Sequence, residues 1–200
     1  MTETLKRLAL ILTTIFVAAC STEPYQLTSE QREYRWRHDS FTVLRVVALY
    51  ADPQQRSAAE VAFAYQLARK GVDVARGKDG SDTGLAGFPG SASDAETTPA
   101  GLLTVTTLDA ASRDAVERRF AERGIAALEE MLVSPAPPQA QEKHFTLTKN
   151  AYLHVALFDA RTRSLVWQAS SDSYGTLTPQ QQINALSLDI VRTLAQRGLI

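Results

Sequence analysis

The chain has 200 residues, of which 44% are hydrophobic and 22% charged, enough for one domain with a full core and too few for two large ones. A formal net charge of -1 gives no electrostatic footprint for nucleic acid or another polyanion. With one cysteine, Cys20, neither an internal disulfide nor a thiolate metal cluster is available, so stability has to come from packing.

The chain opens on a targeting pattern. Lys6 and Arg7 form a basic region, residues 8–17 an apolar run broken only by Thr13 and Thr14, and Ala18 and Ala19 place small side chains before Cys20. Val17-Ala18-Ala19-Cys20 reads as a bacterial lipoprotein signal, with residues 1–19 removed by cleavage between Ala19 and Cys20, and Cys20 lipidated through a thioether. Residues 8–19 fall short of the roughly 20 that cross a bilayer. A core cysteine fits poorly, because Ser21, Thr22, Glu23 and Pro24 turn polar at once. Multiple acyl chains hold a protein firmly on a membrane where one chain gives only reversible attachment. Ser21, standing where an aspartate favours inner-membrane retention in such proteins, points to the periplasmic face of the outer membrane.

Residues 20–40 are expected to form a lipidated tether or an arm on the domain surface. Within them, Tyr34-Arg35-Trp36-Arg37-His38 interleaves aromatic and basic groups. Two readings stand: an interfacial anchor beside lipid headgroups, or an edge strand with Tyr34 and Trp36 packed on the domain.

The domain itself is placed at 41–200. Residues 41–51 (FTVLRVVALYA) resemble a strand buried on both faces. Asp52-Pro53 offers an N-cap and a first-position proline for a helix reaching Lys70, with Gly71 as its C-cap. Ala58, Val61, Ala64, Tyr65 and Ala68 are expected on one broad face, with Phe63 and Leu67 toward the other side. Residues 72–75 return as a strand, completing a βαβ unit with parallel strands and a right-handed crossover.

Residues 76–100 are rich in Gly, Ser, Asp and Thr and are expected to be a long mobile loop. Gly84, Gly87 and Gly90 recur every third residue, but a phosphate-cradling loop lies between a strand and a helix start, and here a strand follows. Residues 101–108 (GLLTVTTL) form that strand. Asp109 and Ser112 compete as N-caps for a helix carrying Val116 and Phe120, interrupted at Gly124 and continuing over 125–132, as one piece or two. The stretches 56–64 and 113–121 share Arg, Ala, Glu, Phe and Ala in register; these are common helix formers, and no further repeat supports a solenoid. A proline-rich break covers 134–141. Residues 144–159 and 164–174 read as two strands joined by a polar turn at 159–163, an antiparallel hairpin. Thr178-Pro179 opens a last helix with Ile183, Leu186, Ile190 and Leu194 on one stripe and Gly198 at its end. The predicted fold is therefore α/β: a single domain with a central mixed sheet, an N-terminal βαβ unit, a late antiparallel hairpin and a C-terminal helix.

Arg56, Glu60, Phe63, Ala64, Leu67, Gly71 and Val72 fit the pattern "R..(A/F)E..FA..L...GV". Val155, Leu157, Asp159, Thr162, Leu165, Val166, Trp167 and Ala169 fit "V.L.D..T..LVW.A", and Leu194, Gly198, Leu199 and Ile200 fit a terminal "L...GLI". With these words the chain resembles a family of small bacterial outer-membrane lipoproteins of largely unassigned function. The fold this implies is similar to that of the curli secretion lipoprotein, the lipoprotein activators of penicillin-binding proteins and the amino-terminal domain of the Tol translocation protein. The resemblance implies binding to other envelope proteins rather than catalysis, and leaves the partner open.

Residues with catalytic potential are scattered. His38, His144 and His154 lie far apart with no HExxH helix, and Ser170, Ser171 and Ser173 lack the glycine-flanked turn of a hydrolase nucleophile. Asp52 and Asp159 sit at strand ends, where α/β sheets often bind ligands, but also suit a cap and a turn. Glu60 reads as an i, i+4 neighbour of Arg56. The expected function is a lipid-anchored, non-enzymatic binding or assembly module with an envelope protein partner, using the 76–100 loop and the 134–141 segment, with no cofactor, metal or nucleic acid. The alternative is a small-ligand-binding or hydrolytic periplasmic protein working near Asp52.

Overall fold

The structure, a computed structural model, describes residues 27–32, 40–50, 52–75, 100–108, 111–133, 152–172 and 177–200. Six strands are β1 (Leu27–Arg32), β2 (Val43–Ala48), β3 (Asp73–Ala75), β4 (Gly101–Leu108), β5 (Tyr152–Asp159) and β6 (Leu165–Asp172). Four helices are α1 (Pro53–Ala68), α2 (Arg113–Arg123), α3 (Ile125–Val133) and α4 (Pro179–Gln196). The strands form one sheet in the order β1-β6-β5-β4-β2-β3. β2 runs parallel to both β3 and β4, and the remaining neighbours are antiparallel. The fold is the expected α/β one, with the βαβ unit β2-α1-β3, the β5–β6 hairpin and the C-terminal helix α4.

Alternation along the strands sorts the core into two layers. Leu103, Val105, Leu153, Val155 and Leu157 join the cluster under α1 and α4. Leu102, Ala156 and Phe158 join Phe120, Ile125 and Leu128 under α2 and α3. Because β4 is buried at every position, both faces of the sheet need a helical cover, and among the described residues two helices lie on each.

The domain begins earlier than position 41. β1, LTSEQR, lies inside the stretch expected to be a tether and adds an edge strand against β6. Its composition hides it, because an edge strand has one neighbour and needs little apolar surface. What holds it is specific. Glu30 accepts hydrogen bonds from Trp167 Nε1 at 2.9 Å and from Arg197 Nε and Nη2 at 2.8 and 2.6 Å. Arg32 Nη1 donates to the Arg197 carbonyl at 3.2 Å. The Arg197 guanidinium holds the Glu30 carboxyl below its ordinary range against an opposing desolvation by burial.

α1 starts as its sequence dictates: the Asp52 carboxylate accepts from Gln54 N at 2.9 Å and proline occupies the first turn. The helix ends at Ala68, two residues short of the expected Lys70, before Gly71 at φ +78°. Its buried face, however, is Ala59, Phe63 and Leu67, whereas Val61 and Tyr65 are 65% and 62% exposed. Both stripes recur every fourth residue. The one carrying Phe63 and Leu67 buries the larger apolar area, so it turns inward.

The segment 113–133 is two helices, divided at Gly124, whose backbone stands at φ +56°, ψ -133°. Ser112 precedes α2 without a side-chain capping bond; Asp109 lies outside the described residues. A Cβ at Gly124 would sit 2.0 Å from the Arg163 carbonyl oxygen, and the next amide, Ile125 N, donates to that same oxygen at 2.9 Å. The break thus docks on the β5–β6 turn, where Asp159 Oδ1 accepts from Arg161 N and Thr162 N at 2.7 and 3.2 Å.

α4 opens on a full capping box between Thr178 and Gln181 and buries Ile183, Leu186, Ile190 and Leu194. Leu199 is fully buried, and its carbonyl accepts from Phe41 N at 2.8 Å.

Two substitutions test these locks. Gly124→Ala places a side chain where backbone already stands and is expected to cost about 1–3 kcal/mol or more, read as a lowered denaturant midpoint; unchanged stability would mean that the α2–α3 break does not dock on the hairpin turn. Glu30→Ala leaves the buried Trp167 indole N–H without its acceptor and is expected to cost about 1–3 kcal/mol in the same measurement.

Candidate functional site

Most positions expected to carry function lie outside the described residues: Ala19, Cys20, the Tyr34–His38 motif, His144, Ser173, residues 76–99 and residues 134–141. Of those described, Asp52 caps α1 and Asp159 organises the hairpin turn. Each carboxylate therefore has the local backbone role that its sequence position suggested. Glu60 and Arg56 do not pair. Arg56 donates through Nε and Nη2 to the Tyr50 carbonyl at 3.3 and 3.1 Å, and Glu60 Oε1 accepts from Ala48 N at 3.2 Å. Both charged side chains of α1 hydrogen-bond back to residues 48–50, at and just beyond the end of β2, although Arg56 stays exposed. Among the described residues no group of three or more His, Cys, Asp or Glu could hold a metal, and no helix is long and apolar enough to cross a membrane.

The part of α1 that faces α4 carries no charge. An open groove runs between α1 and α4, which lie side by side over the same sheet face. Fourteen residues line it, and none is charged. Val61 and Tyr65 form one lip and Leu188 the other; these are the exposed large hydrophobic side chains among the described residues, at 65%, 62% and 41%. Alanines 58, 62 and 185 form part of the lining, and the remainder is proline, serine, glutamine and asparagine. Such a surface can exclude water from an apolar ridge while its amides hydrogen-bond at the rim, the arrangement of a protein-contact face. Sequence reasoning missed it because the spacing sets Val61 and Tyr65 on one broad face of the helix and Phe63 and Leu67 on another without telling which of the two the sheet covers. The available signal was α1 having apolar residues on two sides, one more than a helix at the protein surface can bury.

A polar assembly lies partly buried under α2. Glu117 Oε1 accepts from Ser29 Oγ of β1 at 2.8 Å and from Ser170 Oγ of β6 at 2.5 Å. Gln168 Nε2 donates to the Glu117 carbonyl at 3.0 Å and to Gln31 Oε1 at 2.8 Å. The Gln168 amide nitrogen being occupied as a donor, its Oε1 faces His154 Nε2 at 3.3 Å as acceptor, which assigns the imidazole proton to Nε2. Nδ1 then carries a bare lone pair and meets no donor among the described residues. Phe120 covers the ring with centroids 5.5 Å apart. Burial pushes the His154 pKa down to about 4, against a smaller upward pull from the Glu117 carboxylate and the Gln168 bond. The ring is thus a neutral core strut, as its alternation with apolar residues suggested, but one satisfied at Nε2 alone.

The sign of the pH effect follows. The unfolded chain binds a proton at His154 near pH 6.5 and the folded chain only near pH 4, so the histidine favours unfolding progressively as pH falls from about 6.5 to 4, by on the order of 3 kcal/mol at the lower limit. In His154→Gln, this part of the acid destabilisation is expected to disappear, seen as a flatter plot of unfolding free energy against pH over that window; an unchanged slope would mean that His154 is not buried in the neutral form.

No protein-family model matches the chain, and no curated protein matches it. Among solved structures it is similar to the PelC dodecamer from Paraburkholderia phytofirmans, with 13% identity, a TM-score of 0.42, and coverage of 85% of this chain and 95% of that chain. A point variant of the same dodecamer in another crystal form gives the same identity and TM-score, with 97% of that chain covered. The likeness is too distant to carry an activity or an assembly across to this chain.

Proposed function

We propose that the protein is a cell-envelope lipoprotein, held by a lipidated Cys20 at the periplasmic face of the outer membrane, that acts as a non-enzymatic binding or assembly module. The observation that carries the binding role is the α1–α4 groove, where a charge-free lining and exposed Val61, Tyr65 and Leu188 concentrate on one face. Monomeric proteins seldom group exposed apolar side chains on one patch unless something covers it. The anchor rests on the Val17-Ala18-Ala19-Cys20 pattern and on a domain whose first strand begins at Leu27, so only residues 21–26 separate lipid from sheet. At about 3.3–3.6 Å per residue, the seven steps from Cys20 to Leu27 span at most about 25 Å. The domain therefore works close to the bilayer.

Use of Asp52 as a catalytic or ligand-binding group gains no support from its place, since its carboxylate is occupied in capping α1. The anchor is tested in cells by fractionation: Cys20→Ser is expected to move the protein from the membrane to the soluble fraction and to remove labelling by a fatty-acid analogue. Retention in the membrane with labelling lost would leave the chain peripheral but not lipid-anchored, and would sink the proposal in its present form.

A further inference from the structure

We infer that α2 is a hinged flap, turning at Gly124 and latched through Glu117, whose opening bares a polar surface on the sheet beneath it. The inference is independent of the Cys20 anchor and of the α1–α4 groove.

The surface under the flap has an unusual composition for a covered one. Residues paired across neighbouring strands project from the same face of a sheet. The registers therefore build two rows across β4, β5, β6 and β1: Thr106, His154, Ser170 and Ser29 in one, Thr104, Ala156, Gln168 and Gln31 in the other. Ala156 is the single apolar member, yet Thr104, Thr106, His154, Gln168 and Ser170 are all buried. On the opposite face, the row between them is Val105, Val155 and Ala169, all within the apolar cluster under α1 and α4. A face that stays covered is stabilised most by apolar side chains. A polar face loses little when its cover leaves, because water takes over the hydrogen bonds of its hydroxyls and amides. His154 gains outright, since its buried Nδ1 meets no donor among the described residues until water reaches it.

The cover is fastened at few points. α2 buries Phe120 alone, where α4 buries seven residues. Three hydrogen bonds from the strands converge on Glu117: Ser29 and Ser170 donate to its carboxylate and Gln168 to its carbonyl. At the start of the helix Ser112 makes no side-chain capping bond, and the Arg113 guanidinium rests over the Tyr152 ring, 4.5 Å from its centre. The pair Arg123–Glu130, which bridges α2 to α3, is half exposed on both sides and so constrains little.

The far side of the hinge is fixed. α3 buries Ile125, Ala127 and Leu128, Ile125 N donates to the Arg163 carbonyl at 2.9 Å, and Glu129 pairs with the Arg163 guanidinium. Gly124 alone separates this docked helix from α2, and a glycine can absorb the change in backbone dihedrals that a swing of α2 requires. A local opening of this kind exposes one helix and its floor while the rest of the domain stays folded.

The test is made on the full-length chain. In the parent protein, hydrogen exchange followed by mass spectrometry is expected to show the amides of α2 exchanging well ahead of those of α1, α3 and α4. Two variants then report on the faces of one strand: Ser170→Cys beneath α2, and Ala169→Cys on the side of α1 and α4. Under native conditions N-ethylmaleimide is expected to modify Ser170→Cys far faster than Ala169→Cys, the label being located by peptide mapping so that Cys20 does not interfere. Adding Glu117→Ala is expected to raise the rate at Ser170→Cys by on the order of tenfold or more and to leave Ala169→Cys unchanged. Equal labelling of the two variants, α2 amides as protected as those of α4, or a Glu117→Ala effect of the same size on both faces would overturn the inference, because opening would then be global.

Discussion

The two-sided burial of β4 and β5 governs this molecule. Once the central strands have no solvent face, each face of the sheet needs a helical layer, and the character of each layer is matched to the strand positions below it. Under α1 and α4 the positions are apolar, ending in the Trp167 indole whose N–H reaches Glu30. Under α2 they are mixed, with Phe158 against Phe120 on one side and polar groups on the other. RDAVERRFAER has Phe120 as its buried residue, and the sheet below presents His154, Gln168 and Ser170. A polar helix over a polar patch is stable only when the hydrogen bonds close, and Glu117 closes them with its carboxylate and its backbone carbonyl.

Much of this architecture could be read from the residues, for physical reasons that differ by element. β2, β4 and β5 are rich in Val and Leu and carry few charges, so a buried place in the sheet follows from their composition. α1 and α4 begin at Asp52-Pro53 and Thr178-Pro179, where the side-chain acceptor and the missing amide hydrogen leave few alternatives. β1 could not be read this way. Its stability comes from Glu30, Trp167 and Arg197, residues 137 and 167 positions apart in sequence, and no local pattern announces such a clamp.

The functional surface was less legible than the fold. Asp52, Asp159 and His154 have the structural roles their positions suggested. The groove was misread because amphipathic spacing identifies stripes without ranking them, and only the sheet decides whether Phe63 or Tyr65 turns inward. The Glu117 network was invisible for another reason: a glutamate among arginines on a polar helix looks solvated until two serines from different strands are brought beneath it. The lipid-anchor reading is independent of all this, since it rests on four residues ahead of the domain.

The strand order places the beginning of the domain beside its end. β1 has no neighbour until β6 has been made, Glu30 waits for Arg197, and Phe41 hydrogen-bonds to the penultimate residue, Leu199. Folding from the amino terminus therefore leaves the sheet one strand short until β6 is present, and the Glu30 clamp open until the end of α4 is in place. Segments made early thus wait on segments made later, and the long-range contacts that lock the native state are the last to form.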